Sequence, residues 1–375
     1  MAASSFLARV RPSCSKLVEN ESSSVRINAD KVRAFVEDLD VKEFEQLAEP
    51  MNFPLNFRSQ QDEINFLTLY GLLNFGSGFR KDLHKYTDRG AHDTIVSIFC
   101  ERIGWKMEND LFLFVVQVFG LIGMYISVPK LDAQFMQNLS IDLVANYFSI
   151  PLEQDEQISP GIYMAKPGPL KPLAVILQKI LNESGQKLID LKMEDFGAFV
   201  LANLSPKTTG DLEEKEAVGT GPSAAYLVDR FVETFPGFDD HYEIHGEEVY
   251  LLKRAQLSVA CIYRRFKDSE PKLTFADINE LTAFSDNVLP CVLHALGVLE
   301  YDAELEERIK RGEELPAGQQ ECELRAAAVV ASDLIVAESE GRLGSLELDF
   351  YLWRVGKEER FRGIERHATR DTFFY

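Results

Sequence analysis

A chain of 375 residues, 46% hydrophobic and 27% charged, has the length of one large domain or two joined ones and enough apolar residues for a substantial core. Fibrous and wholly disordered readings are excluded. Its 40 basic against 60 acidic residues leave a formal charge of −20, a field that repels phosphate backbones and disfavours duplex DNA or tRNA as a direct partner.

A small charged ligand stays open, because a few local Lys or Arg residues outweigh the average field inside one pocket. The cysteines Cys14, Cys100, Cys261, Cys291 and Cys322 are scattered and never form C-x-x-C, which points to a reducing, cytoplasmic setting and no structural zinc. The sequence has no H-E-x-x-H, G-x-S-x-G, G-x-x-x-x-G-K-[ST] or G-x-G-x-x-G, so neither metal nor cofactor is expected.

Residues 1–24 hold Ser, Ala and Arg without an acid until Glu19, a trace of a mitochondrial presequence, but lack a long amphipathic stretch. A frayed end is expected there. From Asn28 to Leu47 the apolar residues Val32, Phe35, Val36 and Leu39 recur at helical spacing behind an Asn or Asp cap. A second helix over 60–75 carries Ile64, Leu67, Leu72 and Phe75 and stops at the glycines of FGSGFR. The run LFLFVVQVFGLIGMYISV, 111–128, approaches the length of a membrane span, yet Gln117, two glycines and the acidic flank of Glu108 and Asp110 favour a buried helix.

Further helices are expected in IDLVANYF, PLAVILQKILNESGQKLI and EDFGAFVLANL. The stretch 205–223, rich in Gly, Ser, Thr and charge, predicts a mobile loop. Beyond it AAYLVDRFVETF, VYLLKRAQLSVACIYRRF, TFADINELTAFSDNVLPCVLHALGVL, AELEERIKRGEEL and CELRAAAVVASDLIVAESEG read as helical. HYEIHGEEVYLL alone offers a hairpin, turning at His245-Gly246. The fold expected is all-α with one short hairpin.

Five places hold residues suited to chemistry. In FPGFDDH an aromatic, Phe238, sits beside Asp239, Asp240 and His241. That set suits a nucleobase, whose edge a carboxylate reads while a ring stacks on its face; a helix cap and a core Phe are the simpler reading. Lys253 and Arg254 interrupt an apolar helix and need either a substrate phosphate or a structural carboxylate. Asp286, amid apolar residues before Pro290, is a site acid or a cap. Asp349 lies between Leu348 and Phe350, where it must find a donor or take a raised pKa. The loop 73–94, with Arg80, Lys81, His84, Arg89 and His92, is an anion cradle or a tight turn between helices.

Taken together, LNFGSGFR, PGPLKPL, FPGFDDHYEIHGEEVYLLKRAQL, LTAFSDNVLPCVLHALGVL, LPAGQQECELRAAAV, LDFYLW and RHATRDTFFY resemble, in order and from about Val25 to Tyr375, the queuosine salvage protein family. The resemblance implies one two-lobed domain over 25–375, an all-helical fold similar to the helical DNA glycosylases, and hydrolysis of the N-glycosidic bond of queuosine 5′-monophosphate to release queuine. It implies a small-molecule nucleotide as substrate, with no nucleic acid bound directly and no membrane. By position Phe238 and Asp240 match the aromatic and acid of the family's F-R-D motif, and Asp349 and Trp353 fall in its D-x-x-L-[WY] motif. Asp349 and Asp240 are the catalytic and recognition carboxylates on this reading, with Phe238, Asp286, Trp353 and Lys253 as substrate contacts. Asp239 stands where the motif has arginine, Arg354 where many members have an acid, and 99–117 resembles an insertion. The alternatives are a non-catalytic binder of a modified purine nucleotide and a nucleic-acid glycosylase.

Overall fold

The computed structural model describes residues 5–47, 53, 55–102, 114–204 and 221–375, with the backbone alone at 96–102 and 114–119. Most of the expected loop 205–223 and the middle of 99–117 lie outside the described residues. The chain forms two compact units, Met1–Arg58 with Val200–Tyr375, and Ser59–Phe199. Both are mostly helical.

The first unit is organised by the helix Gln319–Glu338, which is apolar around most of its circumference and therefore central. Helices Phe6–Val18, Ala29–Asp38, Val288–Ala295 and Ser345–Val355 pack around it. Its Ala326, Ala327, Ala328 and Ala331 are fully buried, and such small side chains let neighbouring backbones approach. Asn28 caps the second helix as expected, its side chain accepting from the Asp30 and Lys31 N–H groups at 3.1 and 3.2 Å. That helix stops at Asp38, and a separate one, Val41–Leu47, completes the stretch.

The segment expected to fray is instead a helix, Phe6–Val18, with Leu7, Val10, Cys14 and Leu17 buried along one stripe. The Ser5 hydroxyl caps it by accepting from the Ala8 N–H. The hairpin forms as read: His241–Ile244 pairs antiparallel with Glu247–Tyr250, and His245 and Gly246, at φ 54° and 76°, make the two-residue turn with both central residues left-handed. Three further two-stranded sheets occur among the described residues, so the strand content exceeds the single hairpin expected. One joins Val25–Ile27 to Leu299–Tyr301.

The larger correction concerns LTAFSDN, 281–287, read from its apolar residues as helical. It is irregular backbone, buried at every residue. Burial without a helix or ladder demands other partners for its polar groups, and side chains supply them. Arg11 donates to the Glu280 and Leu281 carbonyls (2.8 and 3.1 Å). The Gln256 amide accepts from the Thr282 N–H at 2.8 Å, and Asn287 donates to the His367 carbonyl at 3.0 Å. Periodicity cannot distinguish such a segment from a buried helix turn.

In the second unit the helix Gln60–Leu72 is buried on all sides from Asp62 onward, and the long helix Lys171–Asp190 packs on the short one Ala133–Gln137. Gly185 makes that approach possible, since a Cβ there would lie 2.5 Å from the Gln137 nitrogen and 2.6 Å from the Ala133 carbonyl oxygen. Gly185→Ala is expected to destabilise by about 1–3 kcal/mol, read as a lowered melting temperature. The apolar run 111–128 is not one helix. Residues Phe114–Phe119 pair with Val96–Arg102 as antiparallel strands, as the valines at 115, 116 and 118 favour, and only Gly120–Ser127 is helical. Among the described residues no helix is long and apolar enough to cross a membrane.

Candidate functional site

Asp240 follows the turn Pro236–Phe238 and leads into the hairpin. It is fully buried, and both of its carboxylate oxygens are taken by Arg325, at 3.1 Å from Nη1 and 2.6 Å from Nη2. Oδ2 also accepts from the Lys253 N–H at 3.2 Å, and the Asp240 carbonyl accepts from the N–H groups of Leu251 and Leu252. The helix Lys253–Phe266 therefore takes its N-terminal cap from a residue thirteen positions earlier. Leu252 adopts φ 53°, a left-handed conformation unfavourable for a leucine, and the bonds to Asp240 hold it there.

This arrangement fixes Lys253 at the first position of its helix, with its ammonium in the field of two further acids, Asp286 and Asp349. Burial lowers the Lys253 pKa to about 8, with Arg325 and Arg254 acting the same way and Asp286 and Asp349 opposing. Asp349 lies in the helix Ser345–Val355 and reaches the irregular segment, where its Oδ1 accepts from the Phe284 N–H at 2.7 Å. Burial raises its carboxyl to about 7, and the neighbouring Asp286 adds to the rise. The Phe284 N–H, Lys253 and Arg264 pull it down. Asp286 turns its own Oδ1 onto the Val288 N–H at 2.6 Å, so it does cap the following helix while also facing Lys253. Asp349 and Asp286 are 5% and 7% exposed, whereas Asp240 is at 0%.

Three of the six residues singled out for the site thus come together: Lys253, Asp286 and Asp349. Asp240 joins them through Arg325 and the Lys253 backbone. Phe238 is fully buried, its ring 4.7 Å from that of Phe231 and 6.3 Å from that of Phe235. This is core packing. Phe238→Ala is expected to cost about 3–5 kcal/mol of stability, checked by a denaturant melt. Trp353 packs against the aliphatic core, with the Lys357 ammonium 3.6 Å from its ring centroid. Arg254 donates to the Gly237 carbonyl and lies over the rings of Phe373 and Phe374, while burial lowers its pKa to about 9. In the second unit Arg89 donates to the Phe148 and Ser149 carbonyls at the end of a helix, which favours the tight-turn reading of 73–94 over an anion cradle.

Arg325 was not singled out from the sequence. Its signal is ECELRAAAV, in which Glu321 and Arg325, four apart in an apolar and alanine-rich run, face the same side of one helix. Two full charges in such a run need a partner from elsewhere.

Residues 127–375 match the family model described as queuosine salvage protein. The chain is 32% identical over 251 residues to a queuosine 5′-phosphate N-glycosylase/hydrolase of Sphaerobacter thermophilus, covering 66% of this chain and 67% of that protein. It is 30% identical over 320 residues to the mouse protein of the same name, covering 78% of this chain and 86% of the relative. A Dictyostelium discoideum protein so named is 35% identical over 156 residues, 40% of this chain and 48% of its own length. The chain belongs to the queuosine salvage protein family.

Proposed function

We propose that this chain hydrolyses the N-glycosidic bond of queuosine 5′-phosphate and releases queuine for salvage into tRNA. The observation that carries the site assignment is Asp349: a buried carboxylate, anchored by one backbone N–H and facing Lys253 and Asp286, in a chain whose relatives bear that activity by name.

Breaking the C1′–N bond builds oxocarbenium character on the ribose, and a carboxylate beneath C1′ stabilises that charge or activates the attacking water. Asp349 has the right contrast for this work. Its carboxylate is poorly stabilised at rest, as the raised pKa states, and gains most when positive charge develops beside it. Queuine, a 7-deazaguanine, has no N7 to protonate, so its departure depends on hydrogen bonds elsewhere on the base. On this reading Lys253 and Asp286 make them. Trp353 and Phe238 act from behind, as packing that fixes the shape of the site.

An architecture similar to the helical DNA glycosylases agrees with the mostly helical fold, and a cytoplasmic setting agrees with the free thiols of Cys14, Cys261 and Cys322. A free nucleotide suits the −20 charge better than tRNA does. Incubation with queuosine 5′-monophosphate, followed by chromatography, is expected to show free queuine and ribose 5-phosphate. Affinity without release would sink the hydrolase reading in favour of a binding protein.

A further inference from the structure

We infer that Arg325 is a positioning residue for glycosidic cleavage, setting the distance between the backbone that carries Lys253 and the backbone that carries Asp286. The inference rests on the reading of Lys253, Asp286 and Asp349 as the reacting site.

Three observations carry it. First, one planar group makes all the bonds. Nε donates to the Ser285 carbonyl at 2.9 Å, Nη1 and Nη2 hold Asp240 at 3.1 and 2.6 Å, and Nη1 reaches Glu321 at 3.3 Å. Second, each of the two segments it joins leads directly to a site residue. Asp240 Oδ2 accepts from the Lys253 N–H, and Ser285 immediately precedes Asp286. Third, the guanidinium is fully buried, with its carbon 4.7 Å from the Tyr375 ring centroid.

Segment 281–287 has no helix or ladder of its own, so its position is the sum of its side-chain fastenings. Gln256 fastens Thr282 to the Lys253 helix directly, and Arg325 adds the fastening at Ser285, next to Asp286, through Asp240. A rigid fork of donors suits this role, because its width sets the spacing of what it binds, and lysine with donors at a single point cannot replace it. Glu321, one turn back on the same helix, is a second carboxyl on the same cation, and burial raises its pKa.

The test compares two variants with the wild type. Arg325→Lys keeps the charge and loses the fork. The triple variant Asp240→Asn/Glu321→Gln/Arg325→Gln removes all three buried charges together, leaving no orphan ion to unfold the protein. Each is first shown by melting and helical signal to be folded at the assay temperature. Turnover of saturating queuosine 5′-monophosphate and substrate Kd are then measured separately. A displacement near 1 Å is worth about 100-fold in rate, so both variants are expected to lose turnover on that order while Kd moves only a few-fold. Wild-type turnover in either folded variant overturns the inference. So does failure of both to fold at 10 °C, which would make Arg325 a requirement of the fold and nothing finer. Asp349→Asn is run beside them: if it stays active the site reading fails, whereas a dead Asp349→Asn with fully active Arg325 variants fails the positioning role alone.

Discussion

Asp349→Asn is expected to lower queuine release at least about 100-fold while leaving queuosine 5′-monophosphate bound, because the lost charge is worth most where the ribose becomes cationic. Single-turnover release and equilibrium binding, measured on the same preparation, check it. Full activity in the variant would remove Asp349 from the chemistry. The same carboxyl sets two pH dependences. Ionised Asp349 is the active form on this mechanism, so kcat/KM is expected to fall below a limb near pH 7, well above the ordinary aspartate range.

The stability dependence has the opposite sense. The Asp349 pKa rises on folding from 3.8 to about 7, so the native state binds the extra proton between those values. The advantage is complete below pH 3.8 and is lost as pH rises through about 7. A shift of that size corresponds to roughly 4 kcal/mol of penalty for the ionised group. Asp349→Asn cannot ionise, so it is expected to melt higher than wild type at pH 8 and nearly level with it at pH 4. A variant with lower activity and higher stability is the signature of a strained functional acid, and a loss of both would mark an ordinary structural one.

The second large effect is at Asp240. The sequence reading made it a recognition carboxylate, for which Asp240→Asn would impair activity more than folding. The geometry reverses that expectation. Both oxygens are engaged by Arg325, and neutralising one partner leaves a buried cation with only Glu321 opposite it. The cost is about 3–5 kcal/mol, seen as a shifted denaturation midpoint at unchanged slope. A midpoint equal to wild type would return Asp240 to direct contact with substrate.

Much of this was legible in the sequence, and what was not has physical causes. Helical periodicity located the helices Gln60–Leu72, Lys171–Asp190, Ala224–Thr234 and Gln319–Glu338, because each buries one face or all faces of a regular element. The hairpin was readable from two residues that tolerate positive φ. Asp349 and Lys253 were readable as charges in apolar company, which burial penalises unless something answers it. Segment 281–287 was not readable, since its apolar residues are set by complete burial and not by a period, and nothing local announces that Gln256, Asp349, Arg325 and Arg11 will fasten it. The N-terminal helix escaped for a different reason: its buried stripe of Leu7, Val10, Cys14 and Leu17 has helical spacing but is interrupted by Arg9, Arg11 and Pro12. Phe238 shows the converse limit. Two acids follow it in the chain, and its neighbours in space are phenylalanines.

The fastening of 281–287 bears on how the protein comes apart. In a helix an amide is protected by a carbonyl one turn away, and the end of the helix opens without disturbing the rest. Here the Thr282 and Phe284 amides are closed by side chains from two different helices, 26 and 65 residues distant in sequence. Neither opens by fraying. Their exchange with deuterated solvent is tied to the separation of whole elements, so the stretch with the least regular backbone belongs among the slowest to exchange, together with the core of Gln319–Glu338. Destabilising that core by mutation would accelerate the Thr282 and Phe284 amides in step with it, and the site would be lost in one cooperative event and not by gradual loosening.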